Sequence, residues 1–363
     1  MSRAVGRRAH PPCRARAPRR VGRSPLGQLY TELNALYREH LSRRALRGGE
    51  VGMKTRRERR VVIERALRDL HAAGLELRRL KNLRAKHVRQ ILTDWRARSL
   101  KTSTLSSYVS HLRTLCAWLE KPQLIELLDE YIAAEPEMVR RRTVTDTDRS
   151  ELAAGLNIQE TLTRARALDE RFAAQLALIA AFGLRSQEAW LFRPHLAVAS
   201  DGGLHVRWGT KGGRPRVLPI TLTPEHKALL AWACMFAATR AESMIPRGWS
   251  VQQWRRHYYG LCERIGLTRG GLGVTPHSFR HGVLLDLYEW LAGVPASARG
   301  GTLAQVDVHA DRAARELVAL HAGHVERHIA SAYLGGVRLK AVVPASPCFG
   351  DPVSSAALIA PTS

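Results

Sequence analysis

The chain has 363 residues, enough for two ordinary globular domains, and its 45% hydrophobic content supports packed cores and excludes wholesale disorder. Its formal net charge of +25 favours a polyanionic partner, with nucleic acid ahead of an acidic membrane surface. No apolar run reaches about 18 residues and no secretory signal opens the chain, so we expect no membrane association and a cytoplasmic location, nucleoid-associated when bound to DNA. The scattered cysteines lack a C-x-x-C pair and predict reduced thiols.

The first part of the chain separates into a basic arm and a helical bundle. Residues 1–24 are rich in arginine and hold no acidic residue, which predicts a disordered arm that either touches DNA or is only solvated. Residues 25–133 repeat apolar side chains at helical spacing, with Arg, Lys and Ser on the other faces. We interpret residues 25–133 as a helical DNA-binding domain and 134–148 as a linker. Candidate DNA contacts are Lys54, Arg56, Arg57, Lys101 and, in the next domain, Arg214.

Residues 149–340 are predicted to form a second, mostly helical domain. An apolar helix over 172–184 is buried nearly all round and is followed directly by Arg185. Two short extended runs flank residues 210–215 (TKGGRP) and predict a β-hairpin. Helices follow, one of them over 326–333, while residues 293–310 form a loop rich in Gly, Pro and Ser. Residues 341–363 are expected to be disordered. The fold class is mainly α with a small antiparallel β-hairpin.

Four short motifs of this domain carry residues suited to phosphodiester chemistry. Breaking such a bond without a metal needs a nucleophile, cations on the non-bridging oxygens and an acid for the leaving oxygen. A tyrosine can attack, arginines can clamp oxygens in a bidentate manner, and lysine or histidine can transfer protons. The candidates are Arg185, Lys211, His277, Arg280, His324 and Tyr333, with Glu188 as a supporting residue.

Each of these residues also has an ordinary structural interpretation. Arg185 could be a helix C-cap, and Lys211 in a Gly-Gly turn is more often solvated than chemical. His277 and Arg280 share one helical face that could be merely polar, and Tyr333 could be a packed aromatic. The order and neighbourhood of all of them together are far more specific than any one.

Taken together, the motifs resemble those of the tyrosine recombinase, or phage integrase, family. Residues 183–188 (GLRSQE) are similar to its first arginine box, and 210–220 (TKGGRPRVLPI) to its lysine hairpin. Residues 277–282 (HSFRHG) resemble its His-x-x-Arg box. Residues 322–333 (AGHVERHIASAY) resemble the terminal box that ends in tyrosine. The resemblance covers about residues 148–340, and the preceding bundle fits the family's core-binding domain by position and pattern.

The resemblance implies a site-specific enzyme of DNA recombination and integration, as carried by mobile genetic elements. Arg185, His277, Arg280 and His324 would activate the phosphate, Lys211 would be the general acid, and Tyr333 would form a 3′-phosphotyrosyl link. No metal, ATP or other cofactor is implied. The partners implied are double-stranded recombination sites, three further copies of the chain in a tetramer, and accessory DNA-bending proteins. A clamp of two domains around DNA is the implied architecture.

Two features depart from the family pattern. Arg280 and His324 are unusually far apart in the chain, so residues 293–310 have the character of an insertion whose role is open. The segment before His324 reads Leu320-His321-Ala322-Gly323, where the family commonly has Leu-Gly.

Other functions use some of the same residues. The pairs His277/His281 and His324/His328, spaced i, i+4, permit a metal site, but neither pair has the acidic residue of H-E-x-x-H and a metal would leave the arginines unexplained. A catalytically silent DNA-binding protein could use the same basic clamp. A type IB topoisomerase or a telomere resolvase would share the catalytic residues.

The spacing of the last motif makes a geometric prediction. One unbroken helix would separate His324 from Tyr333 by about 14 Å, at ~1.5 Å per residue, too far for both to serve one phosphate. We therefore expect the chain to turn near residues 323–326. A short helix that carries Tyr333 beyond this turn is expected to be weakly attached and mobile.

Overall fold

The computed structural model describes residues 25–43, 50–134, 136, 144–324 and 326–336. The chain divides into two compact units, Met1–Arg141 and Arg142–Ser363. The predicted arm, the predicted tail and most of the predicted linker lie outside the described residues. Within the described part, no helix is both long enough and apolar enough to cross a bilayer.

The first unit is a bundle of helices that bury one apolar face each. Trp95 and Leu33 lie at its centre, fully buried, and Trp95 meets the ring of Tyr108 edge-on at 5.1 Å. The described helices are α1 (Pro25–His40), α2 (Met53–Ala72), α3 (Ala85–Ala97), α4 (Thr102–Trp118) and α5 (Pro122–Ala134).

The second unit is helical with a two-stranded antiparallel sheet, which confirms the predicted fold class. The strands are β1 (Leu204–Val206) and β2 (Arg216–Leu218), with Val206 opposite Arg216. Its described helices are α6 (Ile158–Leu168), α7 (Glu170–Phe182), α8 (Ser186–Trp190), α9 (Pro224–Cys234), α10 (Val251–Arg264), α11 (Pro276–Ala292), α12 (Val308–His321) and α13 (Ser331–Leu334).

Two apolar clusters stabilise this unit. The larger surrounds α7, whose apolar side chains are buried on all sides, as the sequence predicts. The smaller joins α11, α12 and α13 to Ala296 of the 293–310 loop, and it includes Tyr333 and Leu334. The predicted nucleophile is therefore also part of a hydrophobic core.

The structure corrects two expectations for the end of the unit. The helix predicted over 326–333 is broken into a 3-10 turn, Arg327–Ala330, and the short α13. The tyrosine-bearing segment is not weakly attached, because Ala330 and Leu334 are fully buried and Tyr333 is only 7% exposed. Burial of these apolar side chains stabilises the segment by the ordinary hydrophobic effect.

Candidate active site

The first arginine of the site is placed by a helix that ends abruptly. Asp169 caps the start of α7 by accepting a hydrogen bond from the Phe172 backbone N–H at 2.8 Å. Gly183 ends the helix in the left-handed region at φ 61°, where a Cβ would lie 3.1 Å from Val283. Two residues later Arg185 leads into α8, so the guanidinium is fixed directly beyond a rigid, buried helix.

Glu188 is the electrostatic centre of the site. Its carboxylate is fully buried and accepts hydrogen bonds from Arg185 Nη1 at 2.7 Å and from Arg216 Nη1 and Nη2 at 2.8 and 2.9 Å. Arg280 Nη1 lies 3.9 Å away. Burial alone would raise the pKa of Glu188, but the hydrogen bonds and charge of Arg216, with the charges of Arg185 and Arg280, lower the pKa to about 2. Glu188 therefore stays ionised and orients the arginines.

Arg185 and Arg280 meet on one backbone oxygen. The Ala322 carbonyl accepts from Arg185 Nη2 at 2.7 Å and from Arg280 Nη2 at 2.6 Å. This carbonyl lies at the C-terminal end of α12, where carbonyls lack helical partners and carry partial negative charge. Arg280 also donates to the Gly183 carbonyl at 2.5 Å, so its orientation is fixed from two sides. The two guanidiniums are thereby held side by side, as a phosphate clamp requires.

Lys211 lies in the turn between β1 and β2. The turn is tight because Gly209, Gly212 and Gly213 all have positive φ, and a Cβ on Gly209 would come within 2.4 Å of the Gln187 carbonyl oxygen. The hairpin is thus pressed against α8, while the Lys211 side chain is exposed. Its charge acts on His324, so it lies within electrostatic range of the site.

The turn expected between His324 and Tyr333 is present. Gly323 has φ 69°, and a Cβ there would meet Arg216 atoms at 3.1 Å, so only glycine fits without strain. The His324 backbone N–H donates to the Ala319 carbonyl at 2.8 Å and closes the end of α12. The ring centroids of His324 and Tyr333 lie 6.1 Å apart, far closer than one straight helix would allow.

Tyr333 faces Arg280 and two histidines. Arg280 Nε donates to Tyr333 Oη at 3.4 Å, and the guanidinium carbon lies 5.5 Å from the ring centroid. The ring centroids of His277 and His281 are 6.1 and 4.9 Å from that of Tyr333. A cavity of about 790 Å³ opens beside these residues and is lined in addition by Arg149 and Arg269. The structure thus brings Arg185, His277, Arg280, His324 and Tyr333 together.

The histidines of the site are neutral near neutrality. Burial, followed by the charges of Arg185, Arg280 and Lys211, lowers the pKa of His324 to about 4. Desolvation by the surrounding protein atoms, followed by the charges of Arg280 and Arg185, also lowers the pKa of His277 to about 4. Arg185 Nη2 lies 3.4 Å from His324 Nε2. A guanidinium can only donate, so Nε2 accepts and Nδ1 carries the proton.

Three further residues lie at the candidate site although the sequence motifs indicate no catalytic or supporting role for them: Arg216, His281 and His321. Arg216 lies within the recognised hairpin motif, and the two-residue period of β2 places it on the buried face with Leu218. That period is a signal that could have identified it. His321 Nε2 donates to the Phe182 carbonyl at 3.0 Å and joins the end of α12 to the end of α7. His321 occupies the part of the terminal motif that departs from the family pattern.

The candidate DNA contacts fall into two groups. Lys54, Arg57, Lys101 and Arg214 are exposed. Arg56 is half-buried and donates to the Val51 carbonyl and to the Glu50 carboxylate at 2.8 and 3.0 Å, so it fastens the start of α2. The geometry gives Arg56 a structural role that the sequence did not indicate.

The metal alternative gains no support from the described residues, among which no group of three or more His, Cys, Asp or Glu is arranged to hold a metal ion. His277 and His281 have ring centroids 5.0 Å apart. His328 is exposed and lies 3.3 Å from the Glu326 carboxylate.

His321 makes a testable contribution to the pH dependence of the free energy of unfolding. Burial lowers the pKa of this fully buried residue to about 4 from the ordinary 6.5. The unfolded chain takes up a proton below 6.5 and the folded chain does not, so the contribution is complete above 6.5 and is lost as the pH falls toward 4. At about pH 5 the folded state should lose ~2 kcal/mol through this residue.

Urea unfolding of wild type and of His321→Gln at about pH 7 and about pH 5 measures this contribution. The variant should show ~2 kcal/mol less change between the two pH values. His309→Gln, at an exposed position near the start of α12, is the matched control and should keep the wild-type change. An unchanged pH dependence in His321→Gln would show that the histidine is protonated in the folded state.

Two family models match the chain. The model described as phage integrase, N-terminal, matches residues 34–125, and the model described as integrase matches residues 140–284. The chain belongs to the phage integrase family, the tyrosine recombinases, which confirms the resemblance seen in the motifs. Comparison with curated proteins found no match. Membership supports a site-specific recombinase or integrase with DNA as its substrate.

The second match ends at residue 284. It includes Arg185, Lys211, His277 and Arg280 but stops before the 293–310 loop, His324 and Tyr333. The functional assignment of these later residues therefore depends on the geometry of the second unit.

Proposed function

We propose that this protein cleaves and rejoins DNA strands through a covalent bond between Tyr333 and the 3′ phosphate of the broken strand. The observation that carries the proposal is the position of Tyr333 Oη, 3.4 Å from Nε of the buried Arg280, beside a second clamped guanidinium. A phosphodiester held by Arg185 and Arg280 would place its phosphorus next to this hydroxyl.

The residues supply every proton that the reaction moves. Tyr333 Oη attacks phosphorus and the 5′ oxygen leaves. The neutral ring of His277 accepts the phenol proton, and Lys211 donates a proton to the leaving oxygen. Arg185, Arg280 and His324 donate to the non-bridging oxygens, where negative charge develops. Rejoining is the reverse sequence with a 5′ hydroxyl as nucleophile.

The proposed reaction conserves the number of phosphate ester bonds. The phosphotyrosyl link retains the energy of the broken bond, so the proposal requires neither a nucleotide nor a metal ion. The family resemblance adds that two pairs of subunits act together on paired DNA sites, with accessory DNA-bending proteins as candidate partners. The exposed Lys54, Arg57, Lys101 and Arg214 are proposed phosphate contacts.

A covalent trapping assay tests the proposed chemistry. Nicked duplexes tiled across the DNA that flanks the gene are incubated with the protein in excess EDTA. A nick just 3′ of the cleavage site lets the short fragment that carries the new 5′ hydroxyl dissociate, so religation fails and the adduct accumulates. We expect a protein–DNA adduct that survives SDS and is digested by protease to a short peptide on the 3′ end.

The same assay separates the alternatives. An adduct that forms in a parallel reaction with divalent metal ions and without EDTA, but not in excess EDTA, would support a metal-dependent reaction instead. Tight binding without an adduct on any tiled duplex would support a catalytically silent DNA-binding protein. Relaxation of supercoiled DNA that needs no particular sequence would favour a type IB topoisomerase.

A further inference from the structure

The segment at residues 293–310, whose last three residues begin α12, is folded against the part of the chain that carries Tyr333. Its buried residues include Ala296, Ser297 and Thr302, and it contains a 3-10 turn, Ser297–Arg299. Gly335, two residues after the tyrosine, packs against this turn, because a Cβ on Gly335 would lie 2.9 Å from the Ala298 backbone nitrogen. The loop therefore sets the position of the chain just beyond Tyr333.

The chain just before Tyr333 is held by residues 144–148. The Thr145 backbone N–H donates to the Ser331 carbonyl at 3.1 Å, two residues before the tyrosine. The Thr145 carbonyl oxygen would also lie 3.1 Å from a Cβ on Gly335. Thr145 is only 3% exposed, so this contact lies inside the fold. The chain is therefore held at Ser331 and at Gly335, two residues before and two residues after Tyr333.

The side chain of Arg299 connects residues 293–310 to residues 144–148, the two segments that hold the chain around Tyr333. Arg299 Nε donates to the Asp148 carboxylate at 2.8 Å, and its Nη1 donates to Asp286 at 2.7 Å and to Glu289 at 3.0 Å. Asp148 belongs to the segment that holds Ser331. Asp286 and Glu289 lie on α11, the helix that also carries His277 and Arg280.

The charges around Arg299 favour this connection. The guanidinium is 14% exposed and lies among three carboxylates, which raise its pKa although burial opposes them. Burial raises the pKa of Asp148, but a backbone hydrogen bond from Ser150 and the side chain of Arg299 lower it below its usual value. A partly buried, hydrogen-bonded cluster of this kind is worth more than an exposed pair and fixes geometry.

We propose that Arg299 is a positioning residue for Tyr333, and that residues 293–310 hold the nucleophile in register with Arg280 on α11. This inference rests on the proposed function, because it assumes that Tyr333 attacks the phosphate. The hydrogen-bond partners of Arg299 are Asp148, Asp286 and Glu289, so it acts on Tyr333 and Arg280 indirectly. It acts through Asp148 and Thr145 on one side and through the Ser297–Arg299 turn on the other.

Single-turnover cleavage of the trapped substrate by Arg299→Met tests the inference. The variant keeps an apolar stem of similar length and loses all three ion pairs. We expect the rate constant for adduct formation to fall by between ~10-fold and ~100-fold, since a misplacement of ~1 Å can cost ~10²-fold. DNA affinity, measured by fluorescence anisotropy, should change less than about twofold because Arg299 is engaged inside the fold.

Conservative variants distinguish positioning from a loss of folded protein. Arg299→Lys, which can keep one ion pair, should recover part of the rate, and Asp148→Asn should slow cleavage less than Arg299→Met. These two variants also serve if Arg299→Met does not fold. Arg312→Met, at an exposed arginine of α12 that lies 3.2 Å from Glu316, is the matched control and should keep the wild-type rate.

The rate constant and the amplitude of adduct formation together distinguish a positioning role of Arg299 from a purely structural one. A purely structural role would lower the amplitude, because fewer molecules are folded, and leave the rate constant of the active fraction unchanged. That result, or a parallel loss of DNA affinity, would overturn the positioning role. Absence of any adduct with wild-type protein would instead reject the proposed function itself.

Discussion

Replacement of Tyr333 by phenylalanine should abolish the covalent protein–DNA adduct and leave DNA binding intact. The substitution removes only the hydroxyl that is proposed to attack phosphorus, and removing a catalytic nucleophile typically costs ~10⁴-fold or more in rate. The ring stays in the apolar cluster formed with α11 and α12. Arg280 Nε loses its bond to the hydroxyl, so we expect destabilisation of about 1–3 kcal/mol at most.

The measurement is an SDS gel of the nicked substrate after incubation with each variant, together with gel-shift affinity and a thermal melt. Tyr258→Phe is a matched control, since it removes a hydroxyl from another buried tyrosine that packs against Phe172 and Trp190. It should form the adduct at the wild-type rate. Adduct formation by Tyr333→Phe would show that another residue is the nucleophile.

The sequence is sufficient to predict the local structure around the candidate site residues that belong to short motifs. Arg185 follows a continuous apolar helix, Lys211 lies between glycines, and His277 and Arg280 share a helix. Each of these placements follows from periodicity or turn chemistry over a few residues. The turn before Tyr333 is also predictable, because a length argument alone excludes one continuous helix.

Contacts between distant parts of the chain were beyond such reasoning. The Ala322 carbonyl that joins Arg185 to Arg280 is a backbone atom and has no signature in the sequence. The attachment of α13 was predicted wrongly for a related reason. Its length predicts weak packing, whereas Thr145 and the 293–310 loop hold it from both sides. Short helices are stabilised mainly by tertiary contacts, which local patterns do not record.

The ion pairs of Arg299 are likewise not predictable from local sequence patterns. Its partners lie 151, 13 and 10 positions away along the chain, at Asp148, Asp286 and Glu289. Nothing in the composition of the 293–310 loop distinguishes this arginine from the other basic residues of a highly charged protein. Its role follows only from the three carboxylates that converge on it.

Replacement of Glu188 by glutamine should give the largest loss of stability among single substitutions in the site. The wild-type carboxylate is fully buried and compensates the charges of Arg185, Arg216 and, at 3.9 Å, Arg280. A neutral amide of the same size leaves these cations without a counter-ion and places N–H donors against guanidinium donors. Breaking a buried pair in this way typically costs about 3–5 kcal/mol.

Urea denaturation at neutral pH measures this loss, and acid unfolding supplies a second signature. The pKa of Glu188 is about 2 in the folded chain, whereas its ordinary value, expected in the unfolded chain, is 4.5. Its contribution is therefore complete above 4.5 and is lost as the pH falls toward 2, so the variant should lack this part of the acid transition. Glu170→Gln, which removes an exposed pair with Arg166 at 3.3 Å, should cost less than ~1 kcal/mol.

A double-mutant cycle tests whether the loss of stability in Glu188→Gln comes from its interaction with Arg216. Arg216→Met removes the partner that holds both carboxylate oxygens, and the variant that combines it with Glu188→Gln should lose less stability than the two single losses added together. Additive losses would show that Glu188 and Arg216 act independently. The double variant should still cleave DNA slowly, because Arg185 would keep the Ala322 carbonyl and His324 Nε2 as partners but lose the carboxylate that orients it.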